Sequence, residues 1–166
     1  LDRPARRNAY SARMRDELVA ALQLASSDPT ITTVELRGEG PSFCSGGDLA
    51  EFGTVADPAT AHQIRTTRSA GYLAHLVAHR LKPRVHGPCV GAGVELPAFA
   101  TRVCAAAGAT FRLPEVGMGL IPGAGGTVSL PRRIGRHRTA WLAITGCELD
   151  TDTAFRWGLV DQIDPA

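Results

Sequence analysis

Two carboxylates stand out because their neighbours give them little reason to be there. Glu95 sits in Gly93-Val94-Glu95-Leu96-Pro97-Ala98-Phe99-Ala100, a run that is otherwise wholly apolar. A carboxylate buried without a partner is costly, so this Glu needs a partner, a proton or a task, unless it faces solvent from the outer side of a helix. Glu115 lies in Phe111-Arg112-Leu113-Pro114-Glu115-Val116-Gly117, after a proline and before a glycine-rich loop. Active-site groups often occupy such loops, and a simple pairing with Arg112 would also account for it. Two carboxyls converging on one pocket could run acid–base chemistry on a bound water. Two glycine-rich turns, around Gly47 and around Ala92, could present free backbone N–H groups, the second at a helix N-terminus that favours negative charge. Together they could form an oxyanion hole, or they could merely permit tight turns.

Other chemistries find less support. Lys82 is the only lysine, so a nucleotide-phosphate loop ending in Gly-Lys-Ser/Thr is excluded. His75 and His79 are four apart but lack the Glu of an HExxH zinc motif, and no metal site is expected. Gly40-Pro41-Ser42-Phe43-Cys44 lacks the last glycine of a nucleophile elbow, and Gly123-Ala124-Gly125-Gly126-Thr127-Val128 lacks the last glycine of a dinucleotide fingerprint. Arg132, Arg133, Arg136 and Arg138 read as a solvated helix face or a phosphate site. The net charge of +2 is too small to argue for nucleic acid. Cys44, Cys89, Cys104 and Cys147 form no CxxC pair and are expected to be reduced, partly buried thiols. With no apolar run of bilayer length and no visible signal peptide, a cytoplasmic location is expected.

The elements that must position these groups alternate between helix and strand. Residues 11–27 read as an amphipathic helix capped by Ser11, with Met14, Leu18, Leu22 and Ala25 at helical spacing. Residues 31–36 alternate as a strand, and 59–80 form a second helical stretch ended by Lys82-Pro83. Residues 85–90 are extended around Gly87-Pro88, 91–96 form a strand-to-helix turn, and 103–107 form a short strand. Helices follow near 127–134, 136–145 and 151–157, the last capped by Gly158, with a final strand over 159–163. This order implies an α/β domain with largely parallel strands.

Taken in sequence, these segments resemble the crotonase family, the enoyl-CoA hydratase/isomerase superfamily. The opening Leu1-Asp2-Arg3-Pro4 with Arg7-Asn8-Ala9 is similar to the family's first CoA-binding loop. Phe43-Cys44-Ser45-Gly46-Gly47-Asp48-Leu49 resembles its first oxyanion-hole turn, and His86 through Leu96 resembles the second. Leu113-Pro114-Glu115-Val116, Gly119 through Thr127 and Gly158-Leu159-Val160-Asp161 continue the pattern, so the match runs over essentially all 166 residues. The resemblance implies a spiral ββα catalytic core over 1–166, lacking the family's C-terminal helical region and its first strand. It places the oxyanion-hole N–H groups on Gly47 and Ala92, where the family usually has glycine at the second position. It places the two catalytic glutamates on Glu95 and Glu115. CoA and substrate contacts fall on Arg3, Arg7, Ala9, Ser45, Gly46, Asp48, Leu49, Gly91, Pro114 and Gly123, with Arg6 also near the phosphates.

The implied reaction is syn addition of water to a trans-2-enoyl-CoA, with CoA as substrate carrier and no separate cofactor. Relatives that isomerise or dehalogenate often lack one Glu or carry an Asp where this chain has Gly123, so both glutamates without that Asp favour hydration. A Δ3,Δ2-enoyl-CoA isomerase and a silent acyl-CoA-binding or assembly subunit are the alternatives, and a homotrimer or hexamer is the implied assembly. Three local departures from the family pattern carry structural expectations. The segment 82–87 is about three residues short, which would invert strand facing unless a bulge absorbs it. Pro97 would remove a hydrogen bond from the helix carrying Glu95 and tilt it. Thr101 replaces a usual Asp.

Overall fold

Ser11 starts the first long helix as its spacing requires. Its Oγ accepts the Met14 N–H at 3.2 Å, satisfying one of the open donors of α1 (Ala12–Ser27). This is a computed structural model, and it describes residues 1–165. α1 buries Met14, Val19, Leu22 and Ala25 and ends at Asp28. Only Val34–Leu36 of the expected 31–36 strand pairs, as β1, because Ile31–Thr33 precede the point where β2 (Leu81–Val85) begins.

The expected helix over 59–80 is two helices. α2 (Pro58–Thr67) stops where Arg68 leaves helical geometry, and the Ser69 side chain accepts the Tyr72 N–H to start α3 (Ala70–Leu76). In this stretch Val77 is in the core, Ile64 and Leu73 are half-buried, and Leu76 is exposed. Lys82-Pro83 ends no helix. Both residues lie within β2, five residues or more beyond the end of α3. Pro83 is tolerated because it faces β1 at Leu36, while the ladder to β4 (Cys104–Ala106) starts one residue later, at Arg84.

Two sheets organise the rest. A four-stranded parallel sheet has the order β1-β2-β4-β7, with β7 spanning Gln162–Asp164. A three-stranded sheet runs β3-β5-β6, from β3 (Pro88–Val90), β5 (Thr110–Arg112) and β6 (Leu149–Asp150). The chain passes from one sheet to the other at Gly87, whose φ of +53° and close approach to the Pro41 carbonyl leave no room for a side chain. The short 82–87 segment causes no inversion. Leu81, Pro83 and Val85 all point inward, and the register to both neighbouring strands is one-for-one.

α4 (Ala92–Glu95) follows β3, α5 (Gly126–Ile134) and α6 (Arg136–Thr145) follow the glycine-rich loop after Glu115, and α7 (Thr151–Trp157) ends on Gly158 at φ +83°. The final strand is displaced from 159–163 because Leu159 and Val160 are buried in the turn after α7. Phe43, Leu22, Leu81, Val85, Leu113, Leu130 and Leu142 form one core between helices and sheets.

Candidate active site

Glu95 is held by backbone. Gly91, at φ +50°, turns the chain out of β3 so that α4 begins at Ala92 and lasts one turn. Pro97 then opens a separate 3₁₀ turn, Pro97–Phe99, at a position where a missing N–H leaves nothing unsatisfied. The expected tilt therefore does not arise, since the helix has ended before the proline. Glu95 is only 2% exposed. Its Oε2 accepts the Ala124 N–H at 2.8 Å and the Gly126 N–H at 2.7 Å, while its carbonyl accepts the Ser129 hydroxyl at 2.8 Å. A Cβ at Gly126 would lie 2.6 Å from Glu95 Cγ, so the clamp requires glycine there. The run Gly123-Ala124-Gly125-Gly126, which failed as a dinucleotide fingerprint, is thus the seat of a carboxylate. Sequence reasoning missed Ala124 and Gly126, and their only signal was the cluster of small residues.

Glu115 begins a 3₁₀ turn, Glu115–Met118, after β5. Arg112 is not its partner, because that guanidinium donates to the Gly146 carbonyl at 2.7 Å. Glu115 Oε2 is buried without a hydrogen-bond partner, and Oε1 occupies the space a side chain at Gly91 would need. Burial pushes both carboxyls up. Glu95 rises to about 7, driven first by desolvation and then by the Glu115 charge, against the opposing N–H groups of Gly126, Ala124 and Gly125. Glu115 rises because burial strips water from it. The two sites differ in their partners: Glu95 Oε2 accepts two backbone N–H groups, and Glu115 Oε2 accepts none.

Each glycine-rich turn leaves one amide over. Tyr10 N–H donates to Gly46 O at 2.7 Å and Asp48 N–H to Tyr10 O at 3.1 Å, bracketing Gly47. Gly91 N–H donates to Arg112 O at 2.9 Å, next to Ala92. Among the described residues, neither the Gly47 nor the Ala92 N–H has an acceptor. Gly47, Ala92, Glu95 and Glu115 all line one cleft of about 640 Å³, with Tyr10, Phe52 and Ile121 on its walls. Such a group can polarise a carbonyl oxygen while two carboxyls move protons nearby.

The whole of residues 1–166 matches the profile of the Enoyl-CoA hydratase/isomerase family. The chain belongs to this family. It is 35% identical to the 1,2-epoxyphenylacetyl-CoA isomerase of Escherichia coli, over 98% of this chain and 64% of that protein. It is 32% identical to an enoyl-CoA isomerase/hydratase of Mycosarcoma maydis, over 99% of this chain and 64% of that protein. Among solved structures, the enoyl-CoA hydratase of Bacillus anthracis superposes with a TM-score of 0.88 at 30% identity, covering 99% of this chain and 64% of that one. The chain thus spans just under two thirds of the length of these relatives.

Within this crotonase-family core, the expected substrate contacts divide into two groups. Asp48 and Gly123 line the cleft with the four central residues. Arg3, Arg7, Ala9, Ser45, Gly46, Leu49, Gly91 and Pro114 are not on its walls. Several of them build the turn behind Gly47. Arg3 donates to Asp48 at 3.0 Å and to Ala9 O at 2.7 Å, and this partner holds the Asp48 carboxyl below the usual range. Arg7 O accepts the Ser45 N–H at 3.0 Å, Gly46 sits at φ +92°, and Leu49 projects into solvent. Asn8 is fully buried and ties this loop together, with Nδ2 donating to Glu39 O and Ser42 O and Oδ1 accepting the Arg3 N–H.

The remaining candidates are structural. Arg133 donates to Ala100 O and Gly158 O and pairs with Asp161, and Arg138 stacks on Trp157. His75 packs against Phe99, and His79 accepts from Arg80. Thr101, where the family usually has Asp, donates its N–H to Ala78 O at 3.1 Å. Cys44 and Cys89 are buried free thiols, Cys104 is half-buried and Cys147 exposed. No helix among the described residues is long and apolar enough to cross a membrane.

Proposed function

We propose that the protein is an enoyl-CoA hydratase, adding water syn across a trans-2-enoyl-CoA to give the 3-hydroxyacyl-CoA. One observation carries the reading: two buried carboxyls, one clamped by N–H donors and one with an unpartnered oxygen, share a cleft with two uncommitted amides. The thioester oxygen sits between the N–H groups of Gly47 and Ala92, which stabilise the enolate-like charge formed when water attacks the β-carbon, each by about 3 kcal/mol. Glu95, fixed through Oε2, takes a proton from the attacking water. Glu115 delivers its proton to the α-carbon. The water thus supplies the hydroxyl, and a proton passing back to Glu115 resets the pair. CoA enters and leaves on the acyl group, and no further cofactor takes part in these steps. Arg3, Arg6 and Arg7 lie on the loop proposed to meet its phosphates.

The reading extends to fatty acid or related acyl-CoA metabolism in the cytoplasm, and to a closed trimer or dimer of trimers, which sedimentation would test. Catalysis is tested by following the conjugated thioester absorbance of a trans-2-enoyl-CoA. Loss of signal with 3-hydroxyacyl-CoA formed, abolished in Glu115→Gln, supports hydration. Turnover of 3-enoyl but not 2-enoyl substrates would make the protein an isomerase. Acyl-CoA binding without turnover of either would make it a binding subunit.

A further inference from the structure

The amides that clamp Glu95 are aimed from behind by two residues that make no hydrogen bond to it. α3 crosses the clamp loop at Gly71, which is buried. A Cβ at Gly71 would lie 2.5 Å from the Ala124 carbonyl oxygen, so the helix backbone packs directly on that peptide group. In a trans peptide the carbonyl and the following N–H point in opposite directions. Holding the Ala124 oxygen against α3 therefore turns the Gly125 N–H towards Glu95, between the Ala124 and Gly126 N–H groups that bind Oε2 at 2.8 and 2.7 Å. Phe99 closes the other side. Its ring is half-buried and stands beside both glycines: a Cβ at Gly125 would lie 2.7 Å from Cε2 and Cζ, and one at Gly71 would lie 3.0 Å from Cε2. His75, one turn along α3 from Gly71, backs the ring at a centroid distance of 6.1 Å. Gly71 and Ala124 line the cleft, whereas Phe99 stands behind its wall. Helix, ring and loop thus meet at two positions that carry no side chain, and a methyl on either glycine would have to displace one of them.

We propose that Gly71 and Phe99 are positioning residues that hold the Ala124, Gly125 and Gly126 amides on Glu95 and so keep it a competent base. The proposal rests on the hydratase reading for the role of Glu95. Each N–H given to the carboxylate favours its ionised form and opposes the burial that favours the acid. The three amides lie in one continuous stretch, so a shift of the loop weakens them together. Glu95 then keeps its proton to higher pH, and fewer molecules hold a base ready at neutral pH. Glu115 acts on Glu95 by its charge, the Tyr10 phenol and the Cys44 thiol on the first turn feel Glu95 in turn, and the His75 imidazole lies behind Phe99; Gly71→Ala replaces none of them. At Gly71 helix propensity and site geometry have opposite signs. Alanine is the better helix former, yet its methyl must push the Ala124 carbonyl away.

The test measures kcat and KM for hydration of trans-2-butenoyl-CoA from pH 6 to pH 9 (roughly the span in which such a base titrates) in wild type, Gly71→Ala, Phe99→Ala and Phe99→Leu. In Gly71→Ala and Phe99→Ala the acid limb of the kcat profile is expected to move up by about one pH unit, with KM within about twofold of wild type. At pH 7 this lowers kcat about fivefold, and the deficit against wild type shrinks as pH rises. Phe99→Leu keeps bulk against Gly125 and should recover part of the shift. A kcat lowered equally at every pH overturns the proposal, because a general loss of packing moves no titration. So does an acid limb unmoved in Gly71→Ala, which decides alone should Phe99→Ala fail to fold. Should wild type hydrate no enoyl thioester, the hydratase reading fails by itself, and carbon NMR of glutamate-labelled protein reads the Glu95 carboxyl directly, identified by its loss in Glu95→Gln. Its titration midpoint should lie about one pH unit higher in Gly71→Ala than in wild type, and an unmoved midpoint overturns the proposal there.

Discussion

Replacing Glu95 by Gln should destroy hydration and stabilise the fold, with the stabilisation growing as pH rises. Glu95 is 2% exposed, and burial lifts its pKa from 4.5 to about 7. The folded protein therefore holds a proton on this group at pH values where the unfolded chain has lost it. Between pH 4.5 and 7 the folded state binds more protons than the unfolded one, so Glu95 makes stability fall as pH rises, levelling off above 7. The full shift corresponds to about 3 kcal/mol, most of which develops between pH 5 and pH 8. Gln keeps an oxygen to accept the Ala124 and Gly126 N–H groups but carries no charge. Subtracting wild type from variant cancels the titration of groups that do not interact with Glu95. The variant's stability relative to wild type should thus rise by about 2–3 kcal/mol from pH 5 to pH 8, a Tm difference of roughly 5–10 °C for a chain of this size. Urea melts or calorimetry at the two pH values would measure it. A difference that is flat in pH, or one that grows in the other direction, refutes the account of a desolvated carboxylate at this position.

Three further outcomes follow from named contacts. Gly91→Ala should cost about 1–3 kcal/mol for its φ of +50° and lower kcat at least tenfold, because its Cβ takes the space of Glu115 Oε1; an active, fully stable variant would contradict the geometry. Asn8→Ala should lower stability by about 2–4 kcal/mol in denaturant melts, since it leaves the Glu39 and Ser42 carbonyls and the Arg3 N–H without their partner; a cost below 1 kcal/mol would show that water replaces it. Thiol titration at pH 8 should modify Cys147 first and Cys104 more slowly. Cys44, pushed up to about 11 by burial, and Cys89, raised further, should react only on unfolding, and early modification of either would refute their enclosure.

The elements with capping residues were legible in the sequence. Ser11 marks a boundary through a side-chain oxygen that accepts a helix N–H, and Gly158 through a left-handed φ of +83° that favours glycine. The strands were harder. β5 and β6 have three and two residues, too few for alternation to register, and they exist through pairing: β5 with β3 along its whole length, and Thr110 with Asp150 and Phe111 with Leu149, partners 40 and 38 residues apart. Pro83 misled for a related reason: its cost depends on whether a neighbouring strand reaches it, which is a tertiary fact. The break between α2 and α3 falls on Arg68-Ser69, where a serine can act as a cap or sit unremarked on a helix surface. In the site, Glu95 stood out as a charge in an apolar run and Glu115 as a carboxylate at the mouth of a glycine-rich loop, but that they meet in one cleft came from the resemblance and then from the structure.

The division between legible and illegible residues follows the materials of the site. Its central groups are mostly main-chain amides: Gly47 and Ala92 free in the cleft, Ala124 and Gly126 on Glu95. An amide is supplied by any residue whose backbone takes the required path, so the sequence constrains these positions only by forbidding bulk, as at Gly91 and Gly126. A chain can therefore differ from its relatives at about 70% of positions and still superpose on the Bacillus anthracis enzyme with a TM-score of 0.88. Side chains farther along the cleft, Arg65 and Ile121 among them, are under no such backbone constraint, and their chemistry can change without disturbing the amides. It follows that reaction type and substrate choice are encoded at different positions. The Glu95→Gln variant should therefore abolish turnover of every thioester alike, while leaving unchanged which of them is bound best.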